Sequence, residues 1–153
     1  MDSNTVKHIR PAASEDLVRI AEIEIFNYRL NFYPIFRNDW FYFEYLNTAR
    51  KTEEYSHTVQ DIWVYDDGVV KGFIMVAEGE IKKLFVEPVL QESGIGGSLL
   101  KYAVNRQKGR YLWALEKNTR AISFYARHGF RLTDKRKPED GTNEFLVLME
   151  KQL

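Results

Sequence analysis

The chain has 153 residues, 44% apolar and 29% charged, enough for a packed core and ordinary for a globular protein. Its 22 Lys and Arg balance 22 Asp and Glu, so no basic footprint argues for nucleic acid. Cysteine is absent, which excludes disulfides, a cysteine nucleophile and thiolate metal sites, and the scattered His8, His57 and His128 lack metal-ligand spacing. One domain over residues 1–153 without a metal is therefore expected. The first ten residues have no apolar leader core, and the longest plain apolar run, Phe73 to Ala77, is far short of a membrane span. With no cysteine used, a reducing cytoplasm and no membrane partner are expected.

Val6 to Arg10 reads as a first strand ended by Pro11, and Ser14 as the cap of a helix running through Ile25. Leu17, Ile20, Ala21 and Glu24 share helical spacing on its apolar face. Residues 26–45 hold ten of the 22 aromatic residues. Pro34 predicts two helical pieces with a bend, and so dense a run of rings predicts that some line a concave surface as an acceptor wall. Lys51 to Gln60 is polar and reads as a connecting helix end or loop. Ile62 to Tyr65 and Val69 to Ala77 are strands joined at Asp66-Asp67-Gly68, and Gly79 turns into a third, giving an antiparallel meander.

That third strand opens the stretch Glu80 to Val104, around which the chain is organised. Ile81, Leu84, Phe85 and Val86 form the strand, Pro88 stops it, and Gly94, Gly96 and Gly97 open a helix. The first N–H groups of a helix lack intrahelical partners and carry the positive end of its dipole, so a glycine-led entry suits a phosphate-bearing group. A Walker loop does not fit, because no lysine follows Gly97. A dinucleotide fingerprint has Leu99 where its third glycine belongs, although Glu116 lies near the place of an acidic ribose ligand. A plain cap without ligand is the remaining alternative. The chain then reads as a strand from Tyr111 to Glu116, a helix capped by Asn118 and closed at Gly129, and strands Arg131 to Lys135 and Glu144 to Glu150 around the Pro138 to Gly141 turn.

Gln91-x-x-Gly94-x-Gly96 after a strand resembles the coenzyme A signature of the GNAT superfamily of N-acetyltransferases. Asn118-x-x-Ala121-x-x-Phe124-Tyr125, followed by Gly129-Phe130, resembles its second signature. The order β-α-α-β-β-β-α-β-α-β-β is similar to that family's α/β fold, a mixed and mostly antiparallel sheet flanked by helices. The resemblance implies acetyl-CoA as co-substrate and a primary amine of a small molecule or peptide as acceptor, joined by direct attack in a ternary complex. It implies backbone contacts from Leu84, Phe85 and Val86 to the pantetheine arm, and a pyrophosphate cradle from Gln91, Glu92, Ser93, Gly94, Ile95, Gly96 and Gly97. Glu92 and Ser93 depart from the basic or amide residues many relatives carry there. Asn118 would contact the cofactor, Tyr125 would protonate the leaving thiolate, and Glu80 would be the base, with Glu78, Glu87 and Glu116 in reserve. A homodimer is open, and a non-catalytic acyl-CoA-binding module is the alternative from another class.

Overall fold

The structure, a computed structural model, describes residues 7–152. Seven strands form one sheet in the order β1-β2-β3-β4-β5-β7-β6: β1 (Ile9–Pro11), β2 (Ile62–Asp66), β3 (Val70–Ala77), β4 (Glu80–Val86), β5 (Tyr111–Leu115), β6 (Phe130–Pro138) and β7 (Phe145–Lys151). The helices are α1 (Leu17–Asn27), the short α2 (Tyr33–Phe36), α3 (Thr48–Ser56), α4 (Ile95–Gln107) and α5 (Thr119–Arg127). Only β4 and β5 are parallel, because α4 crosses over between them; the other neighbours are antiparallel.

The two faces of the sheet bury different clusters. Leu99, Leu100 and Ala103 of α4 cover Ile74, Val76, Ile81, Leu112 and Met149. On the opposite face Leu17, Ile20 and Ile23 of α1, with Tyr55 of α3, cover Ile62, Val64, Phe73 and Met75. Each large apolar side chain taken fully from water contributes about 2 kcal/mol, so burial rather than helix propensity holds α1 and α4 in place.

Several expectations are corrected at the element ends. Val6, placed in the first strand, lies outside the described residues, as do residues 1–5. Pro11 ends β1 as expected, but from inside it, as the last residue paired with β2 opposite Trp63, which is tolerable because β1 is an edge strand. Ser14 does not cap α1: its hydroxyl donates to Glu15, while Asp16 accepts from the Ala13 N–H and from Arg10. The helix runs on to Asn27, widens into a π-type turn over Tyr28–Phe32 and continues into α2. Pro34 lies in the first turn of α2, where its missing N–H costs little, and the break falls instead at Arg37, with φ 53°. The polar stretch read as a connection is largely α3, capped by Asn47, whose side chain accepts from the Arg50 N–H at 2.9 Å.

Strand β4 positions everything that follows. Toward β3 it is paired from Glu80 to Val86, with Lys82 bulged out between Ile81 and Lys83. Toward β5 its register is the single pair Glu80↔Tyr111. A bulge bends a strand and raises its twist, and beyond this point β4 and β5 part into a wedge open at the carboxyl ends of both strands.

Candidate functional site

Two cavities meet at the open end of the wedge. The smaller, about 550 Å³, lies on the side of α4 and α5, and the larger, about 700 Å³, lies between β4, the aromatic segment and the β6–β7 turn. Phe32, Leu84, Phe85, Asn118, Ala121 and Tyr125 line both. A molecule in one cavity can thus touch a molecule in the other at Leu84, Phe85 and Tyr125.

Gly94 is the N-cap of α4 in the left-handed region, φ 91°, with no side chain capping the helix. The first helical bond runs from the Ser98 N–H to the Gly94 carbonyl at 3.0 Å. The preceding N–H groups of the first turn therefore have no intrahelical acceptor. A Cβ on Gly96 would meet the Phe124 ring at 3.4 Å, and one on Gly97 would come within 3.0 Å of His128 Nε2. These glycines let α5 approach the amino end of α4, leaving a narrow cradle of donors. That cradle fits a pyrophosphate, and Arg120, Arg127 and His128 of α5 and its C-cap add basic groups to the same cavity. Sequence reasoning missed all three in this role.

The remaining expected cofactor residues divide by role. Gln91 lines the smaller cavity and is held by its Nε2, which donates to Asn27 Oδ1 at 3.0 Å. Asn27, itself buried, donates to the Val86 carbonyl at 3.0 Å, so it secures the end of β4; sequence reasoning missed it, since it falls two residues past the expected helix end. Glu92, with φ 72°, lines the smaller cavity, its carboxylate largely exposed and 3.7 Å from Arg120. Ser93 and Ile95 do not line either cavity: the Ser93 hydroxyl donates to the Leu90 carbonyl and the Ile95 side chain is in the core. Ile95 contributes to the site only as backbone.

Asn118 caps α5, its Oδ1 accepting from the Ala121 N–H at 3.2 Å, which leaves its amide N–H₂ for the cavities. Tyr125, two turns on, is half-buried between Phe124 and Phe130. Burial pushes its hydroxyl well above the usual phenol value, so it holds its proton at neutral pH. Glu80 is half-buried and lines the larger cavity at the closed end of the wedge. Four residues of strand, about 13 Å, separate its Cα from that of Leu84. The reserve carboxylates are elsewhere: Glu87 pairs with Arg19 at 2.7 Å and Glu116 with Arg136 at 2.9 Å, while Glu78 sits in the β3–β4 turn with φ 54°. Glu139 and Asp140, unread in the sequence, line the larger cavity from the β6–β7 turn.

Five of the ten clustered rings, Tyr28, Phe32, Phe36, Phe41 and Tyr42, form the far wall of that cavity, as the density of the run predicted. Behind them lies a buried polar group. Glu24, with no solvent exposure, meets Lys83 Nζ and Lys51 Nζ, each at 2.8 Å, and accepts from the Tyr55 hydroxyl. Burial alone would raise the Glu24 carboxyl, but the two ammonium groups outweigh it and hold it below its ordinary value. Among the described residues no cluster could hold a metal ion and no helix is long and apolar enough to cross a membrane.

The chain can now be set beside known proteins. The family model for the acetyltransferase (GNAT) domain matches residues 58–132. A peptidyl-lysine N-acetyltransferase, YiaC of Escherichia coli, is 36% identical over 74 residues, 47% of this chain and 51% of that protein. The chain spans about half the length of the curated relatives it matches. Over nearly its whole length it is similar in fold to the PaiA N-acetyltransferase of Thermoplasma acidophilum, crystallised with coenzyme A: TM-score 0.67, 23% identity, covering 93% of this chain and 97% of that one. YncA, a putative acetyltransferase of Salmonella typhimurium solved with acetyl-CoA, gives TM-score 0.66 at 23% identity, covering 94% and 92%.

Proposed function

From the premise that this chain has the GNAT fold and carries the GNAT acetyltransferase segment, we propose that it transfers an acetyl group from acetyl-CoA to a primary amine, by direct attack with both substrates bound. One observation carries this reading: the phosphate cradle and the aromatic-walled cavity adjoin at Leu84, Phe85, Asn118 and Tyr125. Acetyl-CoA, held in the smaller cavity, supplies an activated acetyl group, and everything else falls to the protein.

The N–H groups at the start of α4 and the basic side chains of α5 hold the pyrophosphate. Beyond Glu80, the edge of β4 that faces β5 offers N–H and C=O groups with no ladder partner, available to the pantetheine amides and to a polarised thioester oxygen. An alkylammonium acceptor has a pKa near 10.4 and must lose a proton before it attacks. Glu80 takes that proton through ordered water, since its position at the closed end of the wedge puts it out of direct reach. Tyr125, neutral and facing both cavities, returns a proton to the departing thiolate.

Thiol release from acetyl-CoA across a panel of amines tests the reaction. Tyr125→Phe is expected to lower kcat about 100-fold while changing acetyl-CoA affinity less than threefold; unchanged kcat would remove its role. Glu80→Gln should move the rise of the pH–rate profile to higher pH, and an unaltered profile eliminates it as the base. Tight acetyl-CoA binding without thiol release for any amine would favour a binding module instead.

A further inference from the structure

One wall of the acceptor cavity carries a lysine with a donor to spare. Lys83 sits on β4 next to Leu84 and lines the cavity. Two of its three donors are used, one on Glu24 Oε2 at 2.8 Å and one on the Tyr55 hydroxyl at 2.9 Å. Among the described residues the third has no partner, and 21% of the side chain stays exposed. Glu24 is shared with Lys51, so within the buried part of the cluster two ammonium groups face one carboxylate. Lys51 has a second carboxylate in Glu54, at 3.4 Å, whereas Lys83 has Glu24 alone. Lys83 thus keeps a donor that the buried group does not use.

The neighbouring surface suits an anion. Tyr28, packed edge-on against Phe85 at 5.6 Å, lines the same wall, and burial keeps its hydroxyl neutral and able to donate. Burial lowers Lys83 from the ordinary lysine value despite Glu24, so its charged form has more to gain from a second anion. Across the cavity stand Glu139 and Asp140 on the β6–β7 turn, with Lys137 beside them drawn over the Trp113 ring at 4.2 Å, and Glu80 with Lys82 at the closed end. Lys83 on one wall and these carboxylates on the others offer partners to both ends of a zwitterion.

Granted the acetyltransferase reading on which this rests, we propose that the acceptor carries a carboxylate close to its reactive amine, as an amino acid does, and that Lys83, fixed by Glu24, Lys51 and Tyr55, binds that carboxylate. Lys83 is then a specificity-determining residue, and Glu24, Lys51 and Tyr55 are positioning residues.

The test compares common L-amino acids, each beside its amide and its decarboxylated amine, at saturating acetyl-CoA. Amides have the less basic amine and deprotonate more easily, so a preference for the acid reports recognition rather than reactivity. We expect at least one amino acid to exceed its amide in kcat/KM by about tenfold or more, the value of a charge-assisted bond. In Lys83→Met, where Glu24 keeps Lys51 as partner, the ratio should fall to near one. Calorimetric titration of the same compounds into the coenzyme A-saturated protein reads the same selectivity without turnover. Equal or better use of amides, of decarboxylated amines or of the side chain of a neutral lysine peptide overturns the inference, and so does a ratio that survives Lys83→Met. Turnover confined to uncharged amines leaves the transferase reading intact while this inference falls; carboxylate-selective binding with no thiol release for any acceptor does the reverse.

Discussion

Glu24 is a carboxylate without water, kept charged by Lys51 and Lys83. Breaking such a group by removing one member leaves charge buried without a counterion, which costs about 3 kcal/mol or more. Glu24→Gln is therefore expected to destabilise the protein by about that amount at pH 7, read by chemical denaturation. The pH dependence follows from the sign of the shift. The Glu24 carboxyl lies below its ordinary value of 4.5 in the folded chain, so its contribution is fully present above pH 4.5 and is lost as pH falls through the lower folded value. Asp16, lowered by its hydrogen bond from Arg10, adds a second contribution of the same sign. Glu24→Gln should flatten the acid limb without abolishing it; an unchanged limb would mean that Glu24 is not ionised in the fold. The sequence held a clue to this residue, because Glu24 shares helical spacing with Leu17, Ile20 and Ala21 on a buried face. What it could not supply were the partners, which come from α3 and β4, well separated along the chain.

At the scale of elements, legibility followed the strength of local signals. The Asp66-Asp67-Gly68 hairpin, the glycine-led α4 and the Asn118 cap all formed near their expected positions, since each depends on short-range backbone chemistry. Of helix α3 only a connecting helix end or loop was read, because among its nine residues Tyr55 alone is an apolar side chain in the core, and periodicity needs several. Its start was nonetheless written in Asn47. Replacing that cap, Asn47→Ala, should cost about 1 kcal/mol in denaturant unfolding. A loss well under half that would show that tertiary packing of Tyr55 and Lys51, rather than the cap, fixes the helix start. Pro34 was taken as the break in the aromatic segment, but a proline in a helix's first turn is compatible with the helix, and the left-handed Arg37 makes the break. The parting of β4 from β5 was invisible beforehand, because it arises from the Lys82 bulge and from which strands become neighbours.

The molecule as a whole carries no formal net charge, so its attraction for an anionic cofactor is local to α4 and α5 rather than a long-range field. A ligand that binds only the folded state adds stability by mass action, about 2.7 kcal/mol at one hundred times its dissociation constant. For a chain of this length each kcal/mol raises Tm by about 2–4 °C. Saturating acetyl-CoA should then raise Tm by about 5–10 °C, and Gly97→Ala should reduce that gain, because its Cβ would press on His128 Nε2 at 3.0 Å while the ring is tied to the Phe124 carbonyl at 2.8 Å. No shift with acetyl-CoA would count against the assignment of the smaller cavity.

The wedge also has a meaning for the sheet itself. Most proteins keep their unpaired strand edges at the rim, where charge or proline blunts them; here β1, with Pro11, fits that pattern. From Ile81 onward, however, β4 is a second edge in the middle of the sheet, laddered on one side except at the Lys82 bulge and without a strand partner on the other. Along one strand, amides turned toward β3 are locked while their neighbours turned toward β5 stand open to solvent exchange. The strand is thus half finished by the polypeptide, and whatever fills the wedge completes the sheet.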